Sequence, residues 1–207
     1  MFTLYDFLES GNGYKVRLTL HLLGLDYRLI EKNILKGETR SEEFLKINPV
    51  GKIPAIQIED GRILFESNAI LTYLARNTAL MPEDDFAQAQ VMSWLFFEQY
   101  SHEPNIAVLR FWRHYIEMTD EQKKRVPEKE KAGYEALDIL EMGVKYSPSG
   151  WLVGNDVSIA DIALFAYTHV AEEGGFELDR YPAIQDWIKR IEALDGYKPI
   201  TYRHIAA

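Results

Sequence analysis

The hydrophobic period of this chain changes once, near residue 78, and that change limits the fold more than any other feature. Before it the texture alternates. Thr3 to Phe7 is a short extended run halted by Glu9-Ser10-Gly11-Asn12-Gly13, a cluster of turn residues. Val16, Leu18, Leu20, Leu22 and Leu23 then lead to Gly24, which predicts a mostly buried helix with a glycine stop. Tyr27-Arg28-Leu29-Ile30 predicts a second strand, and Ser41 to Ile47, closed by Asn48-Pro49, a short helix. Ala55 to Ile58 and Arg62 to Phe65 flank Glu59-Asp60-Gly61, a hairpin signal with Asp-Gly at the turn. From Ser67 to Leu74 the pattern is helical again, with Ala69, Ile70, Tyr73 and Leu74 on one face. The order β-α-β-α-β-β-α describes an α/β unit with a βαβ start and an antiparallel end.

Beyond the change the strand pattern vanishes. Residues 78–85 (TALMPEDD) are polar and proline-bearing and read as a linker. Phe86 to Met118 is a long helical stretch expected to break at Pro104, because an interior proline costs a helix about 3 kcal/mol. Thr119 to Val144 predicts a charged amphipathic helix broken near Pro127, and Ser158 to Glu172 and Pro182 to Leu194 two more. Ser158-x-x-Asp161, flanked by Val157 and Ile162, reads as a capping box with a hydrophobic staple, a folding device. The expectation is therefore two domains: residues 1–77 as an α/β domain and residues 86–207 as an all-helical one.

Composition excludes several function classes. Net charge is −9 with no basic block, which argues against nucleic acid and anionic membrane as partners. No apolar run approaches the roughly 18 residues of a membrane span. The first residues, MFTLYDFLESGNG, are acidic where a signal peptide is basic, so a cytoplasmic location is expected. With no cysteine, disulfides, Cys-ligated zinc and chemistry by the protein's own sulfur are ruled out. His21, His114 and His169 show no metal-ligand spacing, and no metal is assigned.

Three local features carry chemistry, each with a plain and a functional reading. Ile53-Pro54, in Gly51-Lys52-Ile53-Pro54-Ala55 before a strand, is either the start of an edge strand or a cis peptide. The cis form would turn the Ile53 backbone outward to pair with an extended peptide. Glu66-Ser67 stands where a hairpin strand meets a helix. Ser67 is placed either as a simple N-cap or beside helix N–H groups that hold a carboxylate, with Glu66 receiving an ammonium. Ser10 is either a cap or turn residue, or a hydroxyl near a helix N-terminus where an anion is favoured. Tyr5 reads as a buried strand aromatic, and Tyr5 or Asn12 is the alternative to Ser10 as the group facing that anion.

Taken together, Tyr5-Asp6-Phe7 with Ser10-Gly11-Asn12, Asn48-Pro49-Val50-Gly51-Lys52-Ile53-Pro54, and Glu66-Ser67-Asn68-Ala69-Ile70-Leu71 resemble the amino-terminal half of a cytosolic glutathione transferase, nearest to bacterial theta-like members. Gly154-Asn155-Asp156-Val157-Ser158-Ile159-Ala160-Asp161 is similar to a late segment of the same family, so the resemblance spans the chain. It implies a thioredoxin-like domain that holds glutathione and a helical domain that supplies the second-substrate pocket. It implies Ser10 at the glutathione sulfur, Ile53 before cis-Pro54 at the cysteinyl unit, Glu66 and Ser67 at the γ-glutamyl head, and Lys52 and Arg40 near the glycine end. Phe7, Asn12, His102, Asn105, Arg110 and Phe111 are the expected second-substrate residues. Two departures stand out: Thr39 replaces a frequent histidine, and neither Ser10 nor Gly13 is the cysteine of some bacterial relatives.

The resemblance implies addition of glutathione, as co-substrate rather than cofactor, to a small apolar electrophile by a homodimer. Conjugation needs the thiolate, and a thiol near pKa ~8.5 is only a few per cent ionised at neutral pH. A helix N-terminus plus one hydroxyl donor is expected to lower that value by about one to two units. Lys36, Lys52 and Arg40 are the cations at hand against a strongly acidic background. A non-catalytic binding or scaffold protein of the same fold is the competing reading, and a glutathione-dependent peroxidase or disulfide reductase a third, weakened by the missing cysteine. The dimer has support of its own: Val91, Trp94, Leu95, Phe96, Phe97 and Tyr100 crowd one helical stretch, and a helix apolar all round needs a second partner.

Overall fold

A computed structural model describes residues 1–204. The first unit holds Met1–Thr78 together with the segment from Leu194 onward. Its elements are β1 (Phe2–Asp6), α1 (Gly11–Leu22), β2 (Tyr27–Glu31), α2 (Glu42–Ile47), β3 (Ala55–Gln57), β4 (Ile63–Phe65) and α3 (Ser67–Ala75). Strand order is β2-β1-β3-β4, with β1 and β2 parallel and the other pairs antiparallel. The βαβ start and antiparallel end read from the sequence are present.

Local chemistry sets the boundaries. The Ser10 hydroxyl caps α1 by accepting from the Gly13 amide at 3.3 Å. Gly24, at φ 62°, ends it: its amide reaches the His21 carbonyl at 3.0 Å and Leu25 reaches Leu20 at 2.9 Å, a Schellman closure that needs a left-handed residue. The Asp-Gly hairpin also forms, with the Ile58 amide on the Arg62 carbonyl at 2.9 Å and Gly61 at φ 89°. Leu4, Ala55, Ile56, Val16, Leu18, Leu20, Ile70 and Leu71 are buried throughout and make the core.

The carboxyl-terminal segment packs with the first unit. Arg17 on α1 donates to the Ile200 carbonyl at 2.8 Å, and the Tyr14 hydroxyl to the Lys198 carbonyl at 2.7 Å. These bonds tie the segment to the first unit, although it follows the helical half in sequence.

The second unit, Ala79–Ala193, is helical: α4 (Asp85–Phe97), α5 (Glu103–His114), α6 (Asp120–Lys145), α7 (Ile159–Thr168) and α8 (Pro182–Glu192). The interruption expected at Pro104 is a π-helical turn over Glu98–His102, after which Pro104 sits in the first turn of α5, where no N–H is needed. The break expected near Pro127 does not occur. Helix α6 runs 26 residues through it, held by a Thr119–Gln122 capping box and by the buried face Gly133, Ala136, Leu137, Leu140 and Val144. Those contacts outweigh the one lost backbone bond. The Ser158–Asp161 box is formed, and Asp161 also accepts from the Leu152 amide at 3.0 Å and the Trp187 indole at 2.9 Å. Among the described residues, no helix is long and apolar enough to cross a membrane.

Candidate functional site

Two helix N-termini meet in the first unit. Helices α1 and α3 pack on each other, and neither carries an acidic residue in its first turn. Each presents backbone N–H groups without helical partners and the positive end of a macrodipole, the setting that favours an anion. Ser10, half-buried, stands at the first of these ends. Asn12 follows on the same turn, its Oδ1 accepting from the Ser67 hydroxyl at 3.2 Å. That bond links the two candidate regions directly.

Ser67 is not the N-cap expected from its position. It is the first residue of α3, 4% exposed, and its hydroxyl is turned to Asn12 rather than back to its own helix. The capping position belongs to Glu66, which makes no side-chain cap bond. Glu66 holds φ 67° and ψ 113°, a conformation non-glycine residues avoid at about 1–3 kcal/mol. The chain thus turns sharply there, leaving the Glu66 side chain exposed at the mouth of α3.

The Ile53–Pro54 bond is cis, the sharper of the two sequence readings. Ile53 stands outside the β1–β3 ladder, which begins at Ala55. Asn48, buried, shapes the loop ahead of it: its Oδ1 accepts from the Val50 amide at 3.1 Å and its Nδ2 donates to the Lys52 carbonyl at 2.7 Å. Arg40 joins this loop through the Val50 carbonyl at 3.0 Å, against Gly51 at φ 65°, where a Cβ would stand 2.6 Å from the guanidinium. Arg40 is thereby held against the loop that carries exposed Lys52, twelve positions later in sequence. Thr39 is buried.

The remaining sequence candidates fare differently. Phe7 is buried in the loop after β1, its amide on Asp6 Oδ1 at 2.7 Å. Tyr5 points to the other side of the sheet from Asp6 and meets the Phe44 ring at 6.1 Å. In the second unit His102 is buried with Nε2 at 2.9 Å from Thr168 Oγ1. Arg110, 3% exposed, donates to Glu173 at 2.6 Å and to the Tyr115 hydroxyl at 2.8 Å. Asn105 donates back to the Ser101 carbonyl at 2.7 Å, and Phe111 stacks on Tyr115. Phe7, His102 and Arg110, expected to line a pocket, are buried.

Three residues escaped the sequence reading. Lys15 is fully buried, its ammonium donating to Asn12 Oδ1 at 2.8 Å, Ser67 Oγ at 3.3 Å and Asn68 Oδ1 at 3.4 Å. Arg17 and Asp6 form an ion pair at 2.8 Å with side chains 1% and 0% exposed. Burial pushes the Asp6 carboxyl up to about 6, with Arg17 opposing. Arg17 also donates to the Leu8 carbonyl, so this pair braces the loop that carries Ser10. Among the described residues, no group of His, Asp or Glu is disposed to hold a metal ion.

Comparison with known proteins agrees with this geometry. Residues 1–76 match the family model described as glutathione S-transferase, N-terminal domain, and residues 92–195 its C-terminal counterpart. A crystal structure of glutathione S-transferase from Pseudomonas fluorescens superposes with a TM-score of 0.92 at 48% identity, covering 96% of this chain and 98% of that one. The disulfide-bond oxidoreductase YfcG of Escherichia coli is 34% identical, with 93% of this chain and 91% of its own length aligned. Ure2p in complex with glutathione superposes with a TM-score of 0.84 at 25% identity, covering 97% of this chain and 90% of that one.

Proposed function

Because the chain belongs to the glutathione S-transferase family, we propose that it binds glutathione in its first unit and adds the thiolate to an apolar electrophile. The observation that carries this reading is the junction of the α1 and α3 N-termini through the 3.2 Å bond between Ser67 and Asn12. One end suits a thiolate, the other an α-carboxylate. The peptide between them runs past Ile53, whose backbone stands outside the ladder. Glu66 receives the ligand ammonium, the α3 N-terminus its α-carboxylate, and Arg40 and Lys52 the glycine carboxylate. Ser10 donates to the sulfur.

The chemistry is displacement or addition. The bound thiol loses its proton to solvent and the sulfur lone pair forms the new C–S bond. In displacement the leaving group departs with the electron pair of the bond that breaks, and in addition the π pair moves to the neighbouring atom, which takes a proton from solvent. The α1 dipole and one hydroxyl stabilise the sulfur anion before the electrophile arrives, so the chain raises the population of the nucleophile rather than supplying one. We assign to the same reading a cytoplasmic homodimer.

A second reading has one observation in its favour, the name of the Escherichia coli relative. An activated glutathione thiolate also attacks sulfur: it opens a disulfide to give a mixed disulfide and a free thiolate, and a second glutathione releases the other half. Two glutathiones are oxidised as one disulfide is reduced, and no protein sulfur is required. Retention on immobilised glutathione, with turnover of an aromatic halide and of a small symmetric disulfide in parallel, tests both. Conjugation alone supports the first reading and disulfide consumption alone the second. Retention with neither identifies a binding protein, and failure to bind glutathione overturns all three.

A further inference from the structure

Lys15 lies beneath the meeting point of two helix N-termini, a poor place for an ammonium. Both macrodipoles present their positive ends there. Among the described residues, α2, α4, α5, α6 and α7 put an acidic residue in the first turn, whereas α1, α3 and α8 have none. Burying a lysine also gives up the rotamer freedom of a long chain. Dipole stabilisation does not account for a cation buried there, so its role lies in what it holds.

It holds the two ends of the candidate site. Asn12 Oδ1 takes both the Lys15 ammonium at 2.8 Å and the Ser67 hydroxyl at 3.2 Å. An amide oxygen with two donors on it fixes which way the carboxamide lies, and the Asn12 NH2 end is turned from Lys15. The same ammonium reaches Ser67 Oγ and Asn68 Oδ1, on the first turn of α3. One cation therefore sets side chains on two helices, reaching from Lys15 to Ser67 across 52 positions of sequence.

We propose that Lys15 is a positioning residue that couples the sulfur end of the bound tripeptide to its γ-glutamyl end. It orients Asn12 on the turn that faces the thiol and Ser67 on the turn that faces the α-carboxylate. Anchoring the carboxylate and ionising the thiol are then linked events rather than independent ones. The proposal rests on the glutathione reading of the first unit.

The test uses the full chain with Lys15→Met and Lys15→Gln, the second keeping a neutral amide should the first not fold. Calorimetry gives the Kd for glutathione, and the ultraviolet absorbance of the thiolate against pH gives the midpoint of the bound thiol. The expected result is a Kd raised about tenfold and a midpoint raised by about one pH unit, the scale of one lost charge-assisted bond. Ser67→Ala should weaken binding less in the Lys15→Met background than in wild type, since the lysine acts through that serine. A variant that melts earlier yet keeps the wild-type Kd and midpoint overturns the proposal, as does strict additivity. Unmutated protein that leaves glutathione unbound fails the site reading itself, and this proposal with it.

Discussion

Replacing Gly13 by alanine sets two effects of opposite sign against each other. Gly13 lies in the first turn of α1 and is not one of the positive-φ glycines. At such a position alanine ordinarily stabilises a helix by about 1 kcal/mol. Here a Cβ would stand 1.6 Å from Asp6 Oδ1, 2.1 Å from its Cγ and 2.3 Å from Oδ2. The carboxylate cannot step aside, because Oδ2 accepts from Arg17 at 2.8 Å and Oδ1 from the Phe7 amide at 2.7 Å. Displacing it leaves a buried guanidinium without its charge partner, worth about 3–5 kcal/mol. The net expectation is a loss of about 2–4 kcal/mol.

Urea unfolding near neutral pH reads this directly, as a midpoint lowered by about 1 M given a slope of roughly 2–3 kcal/mol per molar. The decisive comparison is the same change made on Asp6→Ala. With the carboxylate gone the new methyl has room, so Gly13→Ala should become neutral or stabilising by up to about 1 kcal/mol. A Gly13→Ala protein as stable as wild type, or an equal loss in both backgrounds, refutes the packing of Asp6 under α1.

The other expectations bear on the proposed activity and on the helical unit. Ser10→Ala should lower kcat about 10- to 1000-fold with a smaller effect on the KM for glutathione, since the hydroxyl is assigned to the thiolate; full turnover would leave Ser10 as a cap. Glu66→Gln and Ser67→Ala should raise the glutathione Kd, contacts present in ground and transition states alike, and unchanged affinity by calorimetry would remove both from the site. His169 is kept neutral by burial down to about 4 in the native state, while unfolded histidine takes its proton near 6.5. The unfolded state therefore binds more protons across that window, so stability should fall as pH drops from 6.5 towards 4, and His169→Gln should flatten the limb. Sedimentation should show twice the 24.0 kDa chain mass, because Phe86, Phe96 and Tyr100 on or just after α4 are 72%, 67% and 87% exposed; a 24.0 kDa species rules the dimer out.

What the sequence made legible was local. Strands with period two, the Asp-Gly hairpin, the Gly24 stop and the Ser158–Asp161 box need only neighbours a few residues away, and all four formed. Pro127 shows the limit of the same rules: a local penalty of about 3 kcal/mol yields to a capped, packed helix around it. Ser67 fails for a similar reason. Its identity suits a cap, but the turn at Glu66 moves it one residue into the helix and aims its hydroxyl at Asn12, 55 positions earlier.

The buried charges were the larger omission, and a signal for them did exist. From Gly13 to Leu20 helix α1 is buried at every residue, so it has no solvent face on which to place Lys15 and Arg17. Residues two apart point about 200° around a helix from one another, so these two cations leave the axis in nearly opposite directions. One reaches Asn12 and α3, the other Asp6, Leu8 and the carboxyl-terminal segment. Paired cations at i and i+2 inside an otherwise apolar helix cannot both be solvated if the helix is central to a domain. The apolar pattern of Val16, Leu18 and Leu20 already demanded a central helix, and the two charges it flanks had to find oxygen atoms within the protein. Their partners lie between 3 and 183 positions away, which is why the fold had to be known before the acceptors could be named.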